Sequence, residues 1–327
     1  MTSLPAHFAA TLPDSTSQAG FVCVGCGSRD SRLVSPPRGW PWPMRQCDAC
    51  GLIQQSPRRC SRQPVAQPHS FPDADAPSEP ASWSSAVQRY VECLLPLESH
   101  TGRNLLIVGC GRGHLAALAR ARGWRVVGLD PSPQAICRAI EQFQLDARAG
   151  GLARHREALG RFDVVLCGNL ETAWDPAAVL RDARTVLNTA GVVCVDVSDG
   201  FADMGARPEA GDAVLNVFDA GSLERLLQAC GLGSVAIRAS GHANAPQLAG
   251  NHRGMFRWIP RFLARWMTRL WHFIAGERAA GSACLRADNL SEAVARVEAL
   301  ASKRASSGGR ADRLIAVAAR AAAAHAD

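Results

Sequence analysis

Two groups of residues in this chain have the types and spacing to do chemistry. The first is Cys23-Val-Gly-Cys26-Gly and Cys47-Asp-Ala-Cys50-Gly, two CxxC-Gly knuckles with 20 residues between them. Each knuckle turns two thiolates toward one point, and the following glycine accepts the backbone turn. Together they make a closed four-thiolate set that suits Zn2+. Cys23, Cys26, Cys47 and Cys50 are the expected metal ligands, and with all four positions taken the zinc reads as structural rather than catalytic. A redox pair is the alternative, but a redox CxxC opens a helix in a βαβ unit, and none surrounds these cysteines. A module this small has little core, so the metal would supply much of its folding free energy.

The second group is Asn104-Leu-Leu-Ile-Val-Gly109-Cys110-Gly111-Arg-Gly113-His114. It reads as a buried strand, a glycine-rich turn and a helix start. Such glycines let backbone approach a ligand and let the helix pack closely on the strand. Trp124-Arg-Val-Val-Gly-Leu-Asp130 then reads as a second strand ending in a carboxylate, 17 residues beyond Gly113. An acid at that place is positioned to hold a ribose diol.

The elements that must position these groups fall into pieces. Residues 1–20 read as an N-terminal tail and 21–55 as the four-cysteine module. Residues 56–83 have the Pro, Ser, Ala and Gln content of a linker. From 84 to 289 short apolar runs alternate with helical stretches, as expected of an α/β domain with a largely parallel sheet. Residues 290–327 are rich in Ala and Arg and read as a helical tail. In the 327 residues, 47% hydrophobic and 20% charged composition excludes wholesale disorder. No apolar run approaches the ~20 residues a bilayer span needs, and Met1 to Gly20 lacks the pattern of a secretory signal. The formal charge is +7, spread along the chain, with Lys303 the sole lysine. This argues against a nucleic-acid surface. Of 12 cysteines, eight lie scattered outside the knuckles, several in apolar runs, which points to a reducing, cytoplasmic compartment.

The Gly109-x-Gly111-x-Gly113 pattern resembles motif I of the class I S-adenosylmethionine-dependent methyltransferases, and Gly128-Leu-Asp130-Pro131 resembles that family's second strand end. Phe162 to Glu171 looks like its fourth strand, Gly191 to Ser198 its fifth, and Val217 to Leu232 the helix before its sixth. The resemblance covers roughly residues 84–289. It implies a Rossmann-like seven-stranded sheet with helices on both faces, alongside the small zinc ribbon. It implies S-adenosylmethionine as cofactor, held by Gly109, Cys110, Gly111, Gly113, Asp130, Pro131, Asn169 and Leu170. The four-cysteine module followed by Cys50-Gly-Leu-Ile and Pro57 resembles a bacterial subgroup linked to cell-surface polysaccharide and small-metabolite modification.

The implied activity is methyl transfer to a small-molecule or sugar acceptor. Two alternatives stay open: a zinc-module RNA methyltransferase, and a degenerate methyltransferase fold acting as a binding subunit. The latter rests on two departures: Ile107 stands where the family usually has an acid, and Thr172 where the subgroup often has a histidine. Glu171 and His242 are candidate catalytic groups, each weighed against a solvated surface role; His114 and His252 are weaker candidates. Phe256 to Ile274 carries Arg257, Arg261, Arg265 and Arg269 along one stripe beside an apolar face. A helix over 256–275 of that kind suits either an anionic membrane surface or, the favoured alternative, packing on its own sheet or lining the acceptor pocket.

Overall fold

The computed structural model describes residues 20–35, 42–58, 79–99, 102–168, 170–200, 214–240, 290, 292–300 and 313–321. Its centre is a seven-stranded sheet in the order β10-β11-β8-β7-β4-β5-β6. The strands are β4 (Asn104–Val108), β5 (Arg125–Asp130), β6 (Asp146–Ala149), β7 (Phe162–Gly168), β8 (Leu187–Ser198), β10 (Leu232–Ser240) and β11 (Arg313–Arg320). The run β8-β7-β4-β5-β6 is parallel throughout. Only β11 runs against its neighbours β8 and β10.

Strand residues alternate between two hydrophobic cores, as the two-residue side-chain period requires. Leu106, Val165, Cys167, Val193, Val195, Leu314 and Ala316 face one core, shared with α5 (Pro176–Thr185) and α6 (Ala220–Ala229). Leu105, Ile107, Val164, Leu166, Cys194 and Ile315 face the other, shared with α1 (Glu79–Arg89), α2 (His114–Ala121), α3 (Pro133–Phe143) and the helix over 292–300. Burial on both faces is why these strands read as continuous apolar runs. Capping side chains fix the helix starts: Ser132 Oγ accepts from Ala135 N at 3.2 Å and Asp175 Oδ1 from Ala178 N at 2.8 Å.

The cysteine module consists of β1 (Ser31–Val34), β2 (Met44–Cys47) and β3 (Ile53–Gln55), an antiparallel meander. It does not stand alone. A fourth strand, β9 (Asn216–Val217), joins its edge with Ile53 opposite Val217. Phe21, Cys23, Cys47, Cys50 and Leu52 belong to the same core as Leu223, Leu226 and Leu227 of α6. The module has too little apolar surface for a core of its own, and it borrows that of the large sheet.

Two boundaries differ from the sequence reading. The tail is not wholly helical: residues 292–300 form a helix, but Arg313–Arg320 is β11, inserted between β8 and β10. Alanine's helix propensity misleads there, and satisfying the edges of β8 and β10 wins. Likewise α1 begins at Glu79, inside the stretch read as linker. The segment 256–275 lies outside the described residues.

Candidate functional site

The four cysteine thiols come together as the spacing predicts. Their sulfurs all lie within 4.8 Å of one another. Cys23 Sγ is 3.5 Å from Cys50 Sγ, and Cys26 Sγ is 3.6 Å from Cys47 Sγ. A tetrahedron with metal–sulfur bonds of about 2.3 Å has edges close to these spacings. Gly27 and Gly51, at φ +77° and +78°, make the left-handed turn that closes each knuckle. The amide of Gly27 donates to Cys23 O and that of Gly51 to Cys47 O. The Cys23–Cys50 hydrogen bond lowers the Cys23 thiol and raises that of Cys50, as expected of two sulfurs close enough to share one proton. The donor set therefore fits a structural zinc ion.

The glycine turn sits at the carboxyl end of β4. Gly109, Gly111 and Gly113 all have positive φ, at 84°, 54° and 87°. A Cβ at Gly113 would lie 2.7 Å from Leu145 and 2.9 Å from Ala139, so α2 packs where only glycine fits. A Cβ at Gly111 would meet nothing within 4 Å, so open space lies before the turn. Asp130, at the end of neighbouring β5, holds this turn in place. Its Oδ2 accepts from Gly111 N at 2.9 Å, and its Oδ1 accepts from Ser132 N at 2.9 Å. A carboxylate has about four acceptor positions; these two bonds use two of them, and Asp130 itself is 3% exposed. This open turn beside a fixed carboxylate fits a nucleoside-bearing cofactor such as S-adenosylmethionine. Pro131 is exposed beyond Asp130. Cys110 directs its sulfur away from the opening, against Gly128, and burial pushes its pKa up to about 12.

Further along the same edge lie other residues that the sequence singled out. Leu170 is fully packed in the core, so its side chain does not line the opening. Ile107, at the position where the related family has an acid, is also entirely buried in the apolar core. Glu171 is not a solvated helix-start acid. It is buried, and its Oε1 accepts from Ser198 N at 2.7 Å, bridging the ends of β7 and β8. Burial raises its pKa, an effect the Arg313 charge only partly offsets. His114 packs edge-on between Trp83 and Phe143, with ring centroids 5.0 and 5.2 Å away. Asn169, His242 and His252 lie outside the described residues.

The structure also shows groups that sequence reasoning missed. Asp196, opposite Gly168 in the β7–β8 register, is 1% exposed. Its Oδ2 accepts from Arg89 Nε at 2.8 Å, and its Oδ1 from Arg313 Nε at 2.7 Å and Nη2 at 2.6 Å. Burial alone would raise the Asp196 carboxyl; the two guanidinium charges outweigh it and hold it below the ordinary aspartate range. The second missed group is a clamp on the loop after β7. Asn216 Nδ2 donates to Leu170 O at 2.9 Å and to Ala173 O at 2.7 Å, and Leu215 N donates to Glu171 O at 2.7 Å. Arg58, just past β3, donates to Asn216 Oδ1 at 2.6 Å and Trp174 O at 3.2 Å. The cysteine module thus reaches the edge of the large sheet through β9 and Arg58. Asp196 sits in an apolar strand and Asn216 in a two-residue one, so only their distant partners mark them out.

Comparison with known proteins agrees with this geometry. Residues 79–237 match a family model described as a methyltransferase domain. The ubiquinone biosynthesis O-methyltransferase of Sodalis glossinidius is 37% identical over 116 residues, which are 33% of this chain and 44% of that protein. The chain thus spans less than half the length of that relative. An uncharacterized protein of Mycobacterium tuberculosis is 28% identical over 247 residues, covering 66% of this chain and 83% of its own. An S-adenosylmethionine-dependent methyltransferase from Archaeoglobus fulgidus has a TM-score of 0.44 at 14% identity, over 73% of this chain and 93% of that one. Among the described residues, no helix is long and apolar enough to cross a membrane. With its seven-stranded sheet, its glycine turn and the acid after β5, the stretch 79–237 is similar to the methyltransferase domain whose family model it matches.

Proposed function

We propose that this protein transfers a methyl group from S-adenosylmethionine to a small-molecule acceptor and carries a structural zinc ion on Cys23, Cys26, Cys47 and Cys50. The observation that supports the cofactor most directly is Asp130 tied to Gly111 N, which holds the carboxylate beside the open glycine turn. In this reading the backbone at Gly109, Gly111 and Gly113 cradles the cofactor, and Asp130 accepts from both ribose hydroxyls. Bound S-adenosylmethionine supplies a methyl group already activated by its sulfonium. The chain's own task is then alignment, with the acceptor held in line with the methyl and the leaving sulfur. With the cofactor bound, an acceptor lone pair would form the bond to the methyl carbon as the sulfur–carbon bond breaks. An acceptor hydroxyl must also lose its proton, and in this reading His242 takes it. Asp196 is held ionised by two arginines and cannot take up a proton readily; Glu171 is committed to Ser198 N.

Calorimetric titration of S-adenosylmethionine and S-adenosylhomocysteine into zinc-loaded protein tests this. Micromolar binding is expected, with Asp130→Ala weakening it by at least about tenfold through loss of charge-assisted hydrogen bonds. Well-folded protein that binds neither compound would leave a methyltransferase fold without the activity.

A further inference from the structure

Beside the glycine turn, the carboxyl edge of the sheet carries two guanidinium groups, Arg89 and Arg313, that share the buried carboxylate of Asp196. We propose that Arg89, supported by Arg313 and Asp196, is a subsite for an oxyanion carried by the acceptor, a carboxylate or a phosphate. This rests on the methyltransferase reading above and adds to it the chemical class of the acceptor.

The first argument is place. β7 neighbours β4 in the sheet, and Gly168 ends β7 as Val108 ends β4, followed by the glycine turn. Arg89 brings its Nη2 to within 2.6 Å of the point where a Cβ on Gly168 would stand. No side chain on that residue separates the guanidinium from the end of β7. In open α/β sheets ligands bind outside the carboxyl ends of the strands, so this head group borders the space where an acceptor must meet the methyl group.

The second argument is valence. A guanidinium has five N–H donors in a planar fork. Asp196 takes only the Nε donor of Arg89. Among the described residues, no hydrogen bond to Nη1 or Nη2 of Arg89 is present. The bond through Nε fixes the plane of the group, and the Nη edge, with its parallel N–H pairs, is the one that recognises carboxylate or phosphate in bidentate fashion. The Arg89 side chain as a whole is 25% exposed, so it is not sealed within the core.

The third argument is charge. Asp196 is one carboxylate shared by two guanidinium groups, and both of its oxygens are already engaged. Glu171, the next acid, is buried and spends Oε1 on a backbone amide. Partial burial at this site strengthens each hydrogen bond that the Arg89 guanidinium would donate to an incoming oxyanion. A merely structural Arg89, tying α1 to β8, requires the Nε bond but not an open Nη edge beside a glycine.

The test is calorimetry on zinc-loaded protein saturated with S-adenosylhomocysteine, whose own binding is measured first in each variant. The probes are 3,4-dihydroxybenzoate, catechol as its neutral counterpart, and inorganic phosphate. The wild type should bind at least one anionic probe about tenfold or more tightly than catechol, as expected for a charge-assisted pair. Preference for dihydroxybenzoate assigns a carboxylate, and preference for phosphate assigns a phosphate. Arg89→Gln should abolish the preference, and Arg89→Lys should keep part of it. Gly168→Ala provides the second variant. It keeps every charge and meets only the end of a flexible side chain, so it should fold, displace the guanidinium and weaken the anionic probe. Equal binding of anionic and neutral probes, binding of none, or a preference that survives both Arg89→Gln and Gly168→Ala overturns the proposal. Failure of S-adenosylhomocysteine itself to bind the wild type overturns the methyltransferase reading instead.

Discussion

The two faces of the central sheet are fastened by different means. On the α5–α6 face, the cysteine module is sewn on by thiols, by the β3–β9 pairing and by Arg225 Nε donating to Cys50 O at 2.8 Å. On the α1–α2 face, α1 and the chain after it are held by apolar packing and buried polar bonds. Tyr90 Oη donates to Glu98 Oε1 at 2.6 Å and accepts from Trp124 Nε1 at 3.0 Å, while Arg89 pairs with Asp196. One face carries a metal-capable cluster that is tied to the loop after β7 through β9 and Arg58; the other places its ion pairs at the ends of the strands themselves. The former can therefore fail without unfolding the cofactor turn, whereas disturbing the latter reaches the acceptor space directly.

The largest effect should come from Cys47→Ser, which removes one of four thiolates. Structural zinc sites in small peptides contribute on the order of 10 kcal/mol to folding. The variant should lose bound zinc and lose amide protection in β1–β3 and β9 while retaining it in β4 and β5, as read by hydrogen exchange. Protection that persists in β3 and β9 without metal would mean that strand addition, not the thiols, holds that face.

On the opposite face, Asp196→Asn leaves Arg89 and Arg313 without their counter-charge. Breaking a buried pair by removing one partner costs about 3–5 kcal/mol, with the lower part of that range expected because both arginines remain partly exposed. Denaturant unfolding should show it as one cooperative loss that includes α1 and β11. The contrast between faces fails if this variant unfolds the cysteine module first.

Much of this arrangement was legible in the residues. The glycine turn, α2, β5 and Asp130 are contiguous, and local spacing is enough to read them. The four thiols were legible for the same reason: each knuckle is local and the chemistry closes the set. The docking of the module on α6 was not, because it depends on Ile53 meeting Val217 and on Cys50 meeting Arg225, pairs far apart in the chain. Nor was β11. Arg-Leu-Ile-Ala-Val-Ala-Ala-Arg carries a helical propensity, and only the empty place between β8 and β10 makes it a strand. Asp196 was hidden inside an apolar run whose other residues read as core.

Asn216 tests how firmly the two regions are joined. Asn216→Ala removes the donors to Leu170 O and Ala173 O and the acceptor of Arg58. Leaving such buried groups unpaired costs about 1–3 kcal/mol. Zinc binding should be unchanged, and the KM for the acceptor should rise more than that for the cofactor, since the loosened loop lies past β7 rather than at the glycine turn. An unchanged KM would mean that the clamp serves stability alone.

The smallest effect is expected at Glu171, which lies between the two faces. Burial raises its folded-state pKa above the ordinary glutamate value, with Arg313 opposing the rise. A raised carboxyl favours the folded state at pH values below its unfolded pKa, and that contribution is lost as pH rises through the folded value. Asp196 has the opposite sign. Its lowered pKa contributes stability above the unfolded value that is lost as pH falls through the folded one. Glu171→Gln keeps a carbonyl to accept from Ser198 N and removes the ionisation. The variant should match or exceed the wild type in thermal stability near neutral pH, and its stability should fall more on acidification because only the Asp196 contribution remains. A variant clearly less stable at neutral pH would show that the Glu171 charge supports Arg313, placing it with the ion pairs of the α1 face rather than with the backbone clamp.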